Sequence, residues 1–176
     1  MVLGRTLYKF RYKLLMNDME ELIRMAEERG IDVEDLIINA IRSRSKDPLE
    51  SIRLRIELAR KFITEARERL NTGDSIQASE KAYKAAEEVV KALAEKFNIP
   101  EYQQAIKEGR WYTHQLSSAA SKLSRTLGNW VLNGWSSAYL LHVWGFHEAK
   151  LSADDIVGYV NEVERMVKEA EKLLTH

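Results

Sequence analysis

"ARKFITEARERLNTGDSIQASEKAYKAAEEVVKALAEKFNIP", residues Ala59 to Pro100, decides the fold. Its apolar residues recur at steps of three and four on both sides of one short break. Before the break, Ala59, Ile63, Ala66 and Leu70 continue a stripe that starts at Ile52 and Ile56, which is the pattern of a long amphipathic helix. Gly73 supplies the residue that most readily ends a helix, and Asp74 the carboxylate that caps the next. In that next helix Ile76, Ala82, Ala86, Val89, Val90, Leu93 and Phe97 form a wide face rich in alanine. Alanine lets a neighbouring backbone approach closely, so this helix is expected at the centre of the fold. Pro100 marks its stop. A break of a few residues makes the two helices antiparallel neighbours.

Working outward, the same punctuation recurs. Upstream, "KDPLES" places Asp47 as cap, Pro48 at the first helical position and Glu50 in the first turn. Earlier still, Asn17 with Glu20 three residues on reads as a capping box, and Gly30 closes that helix. Asp32 caps a second short helix with Val33, Leu36, Ile37, Ala40 and Ile41 on one face. The two predict a small helical hairpin. "RSRSKDP" separates it from the long helices, so residues 1–46 are read as a basic arm plus hairpin and 47–176 as the main bundle.

Downstream, "PEYQQAIKEGRW" predicts a short helix broken at Gly109. "YTHQLSSAASKLSRTLG" predicts another, with Leu116, Ala119, Ala120, Leu123 and Leu127 inward. "NWVLNGWSSAYLLHVWGFHEA" is apolar nearly all round, which places it deep in the core or at an interface, with a kink at Gly134. Ser152, with Asp155 three residues on, opens a last helix whose face is Ile156, Val160, Val163, Val167, Ala170 and Leu174. No segment alternates with period two, so no sheet is expected. The fold class is all-α: an antiparallel up-and-down helical bundle with a small N-terminal helical hairpin.

Lys plus Arg and Asp plus Glu both number 27 in a chain of 176 residues, so any basic surface must be local. Cysteine is absent, which excludes disulfides and thiolate metal sites. The opening "MVLGRTLYKFRYKLL" mixes basic with apolar residues and lacks a leader's continuous apolar stretch. No stretch approaches the ~20 apolar residues of a membrane span. A cytoplasmic location is the expectation, and many charges without cysteine fit a thermophile. GxxxxGK[ST], GxGxxG and GxSxG signatures are all missing, so neither a nucleotide-driven motor nor a Rossmann oxidoreductase has support. No cofactor is expected.

Three clusters carry chemistry. His142 and His147 lie five residues apart beside Trp144, Phe146 and Glu148. On an α-helix that spacing is ~500° of rotation, which points the two rings ~140° apart. Zinc needs three or four convergent ligands, so no metal is expected there. Two packed imidazoles are the plain reading, and proton transfer near neutrality the sharper one. In "GRWYTHQ", Arg110 and His114 flank Trp111 and Tyr112, a grouping able to hold a phosphate and stack a base, or simply to start a helix. The arm "RTLYKFRYK" interleaves Arg5, Lys9, Arg11 and Lys13 with Tyr8, Phe10 and Tyr12, the composition of a single-strand binder or of an ordinary tail. Trp130, Trp135, Tyr139 and Trp144 suit a core, or a homodimer interface across residues 130–147.

The pair of long helices resembles the HEPN superfamily, on Gly73, Asp74, Ala78, Ala82, Ala85, Ala86, Glu87, Lys91, Ala92 and Leu93. "HVWGFHEAKLSADDIVGYVNEVERMVKEAEKLL" is similar to that superfamily's ending, in which a histidine turn precedes a final helix. More narrowly, "DPLESIRLRIELARKFITEA", "GRWYTHQL" and "HVWGFHEAKLS" resemble the archaeal PaREP family. The HEPN resemblance implies an all-α bundle, often dimeric. Many members are metal-independent ribonucleases with four to six residues lying between a paired arginine and histidine, and Arg110 is one residue too close to His114 to fit. His142 stands where the family's arginine would be if His147 is the histidine, and imidazole lacks the guanidinium fork that grips phosphate. The expected function is therefore binding of RNA, a nucleotide or a partner protein, at His142, His147 and Glu148 with Arg110, His114 and the arm residues Arg5, Lys9 and Arg11. The alternatives are a metal-independent endoribonuclease using His142 and His147, and a structural or antitoxin-type protein. A homodimer is the expected assembly, and a nucleotidyltransferase gene next door would favour a paired toxin system with that enzyme as partner.

Overall fold

The structure, a computed structural model, describes the backbone of residues 2–174 and the side chains of residues 15–174. Among the described residues there are eight α-helices, one π-helical segment and no strand. They are α1 (Val2–Glu27), α2 (Val33–Arg44), α3 (Glu50–Asn71), α4 (Ser75–Lys96), α5 (Pro100–Glu108), α6 (Thr113–Leu127), α7 (Trp130–Leu140), the π-helical segment Leu141–His147, and α8 (Ala153–Leu174). The chain divides into two compact units, Met1–Ser43 and Arg44–His176. No helix among the described residues is long and apolar enough to cross a membrane.

The first unit holds α1 and α2. Asn17 does not cap a helix: α1 runs unbroken through it, because the residues before it are equally able to stay helical. Gly30, at φ 70°, follows the end of α1, and the Asp32 carboxylate accepts from the Asp35 amide, 2.9 Å away, to start α2. The apolar positions expected to face inward are largely open here: Leu22, Leu36 and Ile37 are all exposed. Arg5, Lys9 and Arg11 lie outside the residues whose side chains are described.

In the second unit α4 is the hub, touching α3, α5, α6, α7, the π-helical segment and α8. Its alanines explain why. Ala78, Ala82, Ala85, Ala86, Ala92 and Ala94 have no exposed surface at all, so several neighbours meet the α4 backbone closely. The α3–α4 turn forms as the spacing predicts, with Gly73 at φ 78° and the Asp74 carboxylate accepting from the Gln77 amide at 3.1 Å. Antiparallel register follows from three cross-helix pairs: Ser51 with Glu95 (2.6 Å), Arg55 with Glu88 (2.8 Å) and Glu65 with Lys81 (2.8 Å). Helix α8 runs antiparallel to α3 in turn, with Arg67 on Glu164 and Arg60 on Glu171. Its start is a reciprocal cap between Ser152 and Asp155.

Several details depart from the sequence reading. Helix α3 begins at Glu50, because Asp47 caps a preceding turn instead, accepting from the Leu49 amide at 2.9 Å. Ile76 and Phe97 are exposed, the first in the opening turn of α4 and the second just past its last residue. Helix α7 runs unbroken through Gly134. That glycine lets α8 approach: a Cβ there would lie 2.6 Å from the Cβ of Met166. The aromatic segment is not buried on all sides either. Val131, Trp135, Ala138 and Leu141 are buried, while Leu132, Tyr139 and Trp144 remain exposed.

Candidate functional site

The two histidines meet. His142 Nε2 and His147 Nε2 are 3.1 Å apart, and the rings stand edge to face with centroids 4.3 Å apart. This corrects the expectation of rings pointing ~140° apart, which assumed an α-helix. Residues 141–147 are wound as a π-helix, whose i→i+5 closure brings residues five apart much nearer to one side than an α-helix does. The wide turn is visible in the bond from the Glu148 amide back to the Val143 carbonyl, 2.9 Å. Gly145 permits it. The segment lies so close on α4 that a Cβ at residue 145 would meet Ser79 Cβ at 2.7 Å. Ala149, at φ 48°, then turns the chain toward α8.

His142 is pinned from below. Its ring stacks on Tyr83 of α4, with centroids 4.0 Å apart and planes 21° apart, and Tyr83 in turn packs against Trp135. The Tyr83 hydroxyl lies against Glu87 and Thr113, with Lys91 close by; burial first, and the Glu87 charge second, push the phenol well up from its ordinary range. Lys91 is itself buried and pairs with Glu88 at 3.2 Å, and Glu88 also accepts from Arg55. A polar seam therefore runs from the exposed His147 through Tyr83 into buried charges on α4 and α3. Sequence reasoning missed Tyr83 and the Arg55–Glu88–Lys91 group. The available signal was the i, i+4, i+8 line of Tyr83, Glu87 and Lys91 on the alanine-rich helix.

Burial first, and His147 second, hold the His142 imidazole below its ordinary value of 6.5. Its Nδ1 is buried and has no hydrogen-bond partner among the described residues. The folded state thus resists a proton that the unfolded chain accepts near pH 6.5. The stability tied to neutral His142 is present above that pH and is lost as pH falls below it. Urea unfolding between pH 7.5 and 5 is expected to show a steeper loss for the native chain than for His142→Gln. Equal slopes would contradict this account of the ring.

The second cluster is also real and exposed. The Arg110 guanidinium lies over the Tyr112 ring, 4.4 Å from its centroid, and His114 stacks on Tyr112 with centroids 5.7 Å apart. Gly109, in the left-handed region at φ 72°, ends α5 and throws these residues outward. The Gln115 side chain accepts from the Tyr112 amide at 2.9 Å and fixes the start of α6. Thr113, between Tyr112 and His114, is the residue that reaches the Tyr83 hydroxyl. Glu148 follows the π-helical segment and is exposed. Among the described residues, no three His, Cys, Asp or Glu side chains gather as metal ligands.

An alanine-cored helical bundle with a π-wound histidine pair at one edge is the class of protein these features define. The chain belongs to the Archaeal PaREP1/PaREP8 family, whose model matches residues 54–167. It is similar to a protein from Sulfolobus solfataricus seen in a crystal structure, with 39% identity and a TM-score of 0.60, over 66% of this chain and 95% of that one. The solution structure of the same structural-genomics target matches at 37% identity and a TM-score of 0.59, over 67% of this chain and 92% of that one. No curated protein matches this chain.

Proposed function

We propose that this PaREP-family protein is a HEPN-like bundle that binds single-stranded RNA or a nucleotide, and acts by binding rather than cleavage. The observation that carries this reading is the exposed stack of Arg110, Tyr112 and His114. A guanidinium layered on an aromatic ring offers a planar cation for phosphate and flat faces for a base. Thr113 ties the stack to Tyr83 and so to the paired histidines, which offer further polar contacts. Fluorescence anisotropy with a labelled oligoribonucleotide tests it. Arg110→Ala is expected to weaken binding about tenfold for all sequences and to flatten the salt dependence by about one unit of slope. No affinity at low salt, or an unchanged Arg110→Ala, would overturn the reading.

The convergence of His142 and His147 favours a second reading, a metal-independent endoribonuclease with one ring as base and the other as acid. Against it, the two Nε2 atoms face each other 3.1 Å apart and His142 Nδ1 is buried, so the pair offers one shared edge rather than a base and an acid on opposite sides of a scissile bond. Cleavage of RNA in EDTA, abolished in His147→Ala, would establish it. A third reading, an interaction protein that dimerises through residues 130–147 or holds a nucleotidyltransferase, draws on exposed Leu132, Tyr139 and Trp144. Light scattering of the native chain and of Trp144→Glu decides whether that face joins two copies.

A further inference from the structure

We propose that His142 and His147 form a chelating site for a borderline divalent transition metal, of the zinc, nickel or copper class. The inference goes beyond the RNA-binding reading and does not depend on it. Two metal–nitrogen bonds of about 2.0–2.1 Å span about 2.9 Å at a right angle and about 3.3–3.4 Å at the tetrahedral angle. The observed Nε2–Nε2 separation of 3.1 Å falls between those bites. An α-helix brings two imidazoles into such a bite at i, i+4. The π-helix does so at i, i+5, and holds the backbone of both residues in one turn.

The first ligand is already placed, because stacking on Tyr83 fixes the His142 ring. His147 is exposed, so water and metal reach the Nε2 edge from solvent. Imidazole suits zinc, copper and nickel and does not suit magnesium or calcium, which take oxygen ligands. Among the described residues two protein nitrogens converge, so the remaining positions fall to water or an added anion. Coordination through Nε2 also puts the His142 proton on its buried Nδ1, which has no partner among the described residues. Both points limit the affinity to the micromolar range, with copper bound most tightly.

The test uses the full chain, stripped with EDTA and then loaded with copper(II), with affinity followed by titration and ligands by electron paramagnetic resonance. One copper per chain with two equatorial imidazole nitrogens is expected. His142→Ala and His147→Ala should each show one nitrogen and at least about tenfold weaker binding, since each removes one of two ligands. His176→Ala should behave as the native chain. His147 is exposed, so its replacement leaves the core intact and keeps the test free of folding effects. A native spectrum with fewer than two nitrogens, or binding unchanged in His147→Ala, overturns the proposal. RNA anisotropy in EDTA reports on the earlier reading separately, so either can fail alone.

Discussion

Replacing Glu88 by alanine is expected to lower the unfolding free energy by about 3–5 kcal/mol, among the largest single-residue losses in this protein. Glu88 is buried between Arg55, at 2.8 Å, and Lys91, at 3.2 Å, and both cations are buried as well. Removing the shared carboxylate leaves two positive charges close together in a medium where water screens them poorly. Glu95 offsets part of the cost, but it stands 3.9 Å from Arg55 Nε and also accepts from Ser51. For a domain of this size the loss corresponds to a melting point about 6–20 °C lower. Circular dichroism melts measure it. Glu162→Ala, which breaks the exposed pair with Arg165, is the comparison and should cost less than about 1 kcal/mol. Similar shifts in the two variants would mean that the buried group is no more than a surface pair.

The second large effect is at Gly145. Gly145→Ala is expected to destabilise the fold by about 1–3 kcal/mol and to separate the two histidines. The added methyl would sit 2.7 Å from Ser79 Cβ, which belongs to the rigid central helix, so the π-helical segment must move instead. Alanine favours an ordinary helix over glycine by about 1 kcal/mol, which also works against the wide turn. Hydrogen–deuterium exchange over residues 141–150 and the copper spectrum both report the change. Ser79→Gly should restore the spectrum by making room. The Ser79 hydroxyl has no partner among the described residues, so the rescue forfeits no hydrogen bond. If Gly145→Ala alone keeps the two-nitrogen signal, the close packing on α4 does not shape the site.

Much of the bundle was legible because its signals are local. Asp74, Gly73, Pro100 and the Ser152–Asp155 cap act within a turn of where they stand, and the alanine stripe of α4 records the nearness of its neighbours in side-chain size. End positions read less well. Ile76 and Phe97 fit the periodicity of α4, yet they stand at its two ends and are exposed. Asn17 could cap a helix, yet capping residues are also tolerated within one.

The histidines, Arg110 and Tyr112 were picked out from residue type, and their surroundings were not. Tyr83 beneath His142 comes from a helix about sixty residues away in the chain, so no spacing rule connects them.

The amino-acid order alone fixed the helices, their antiparallel pairing and the central place of α4, because apolar periodicity and caps act over a few residues. Tertiary packing decided that residues 141–147 wind as a π-helix and that His142 meets His147. Gly145 must pass against Ser79, and the energy of that contact is set by a distant helix rather than by any nearby residue.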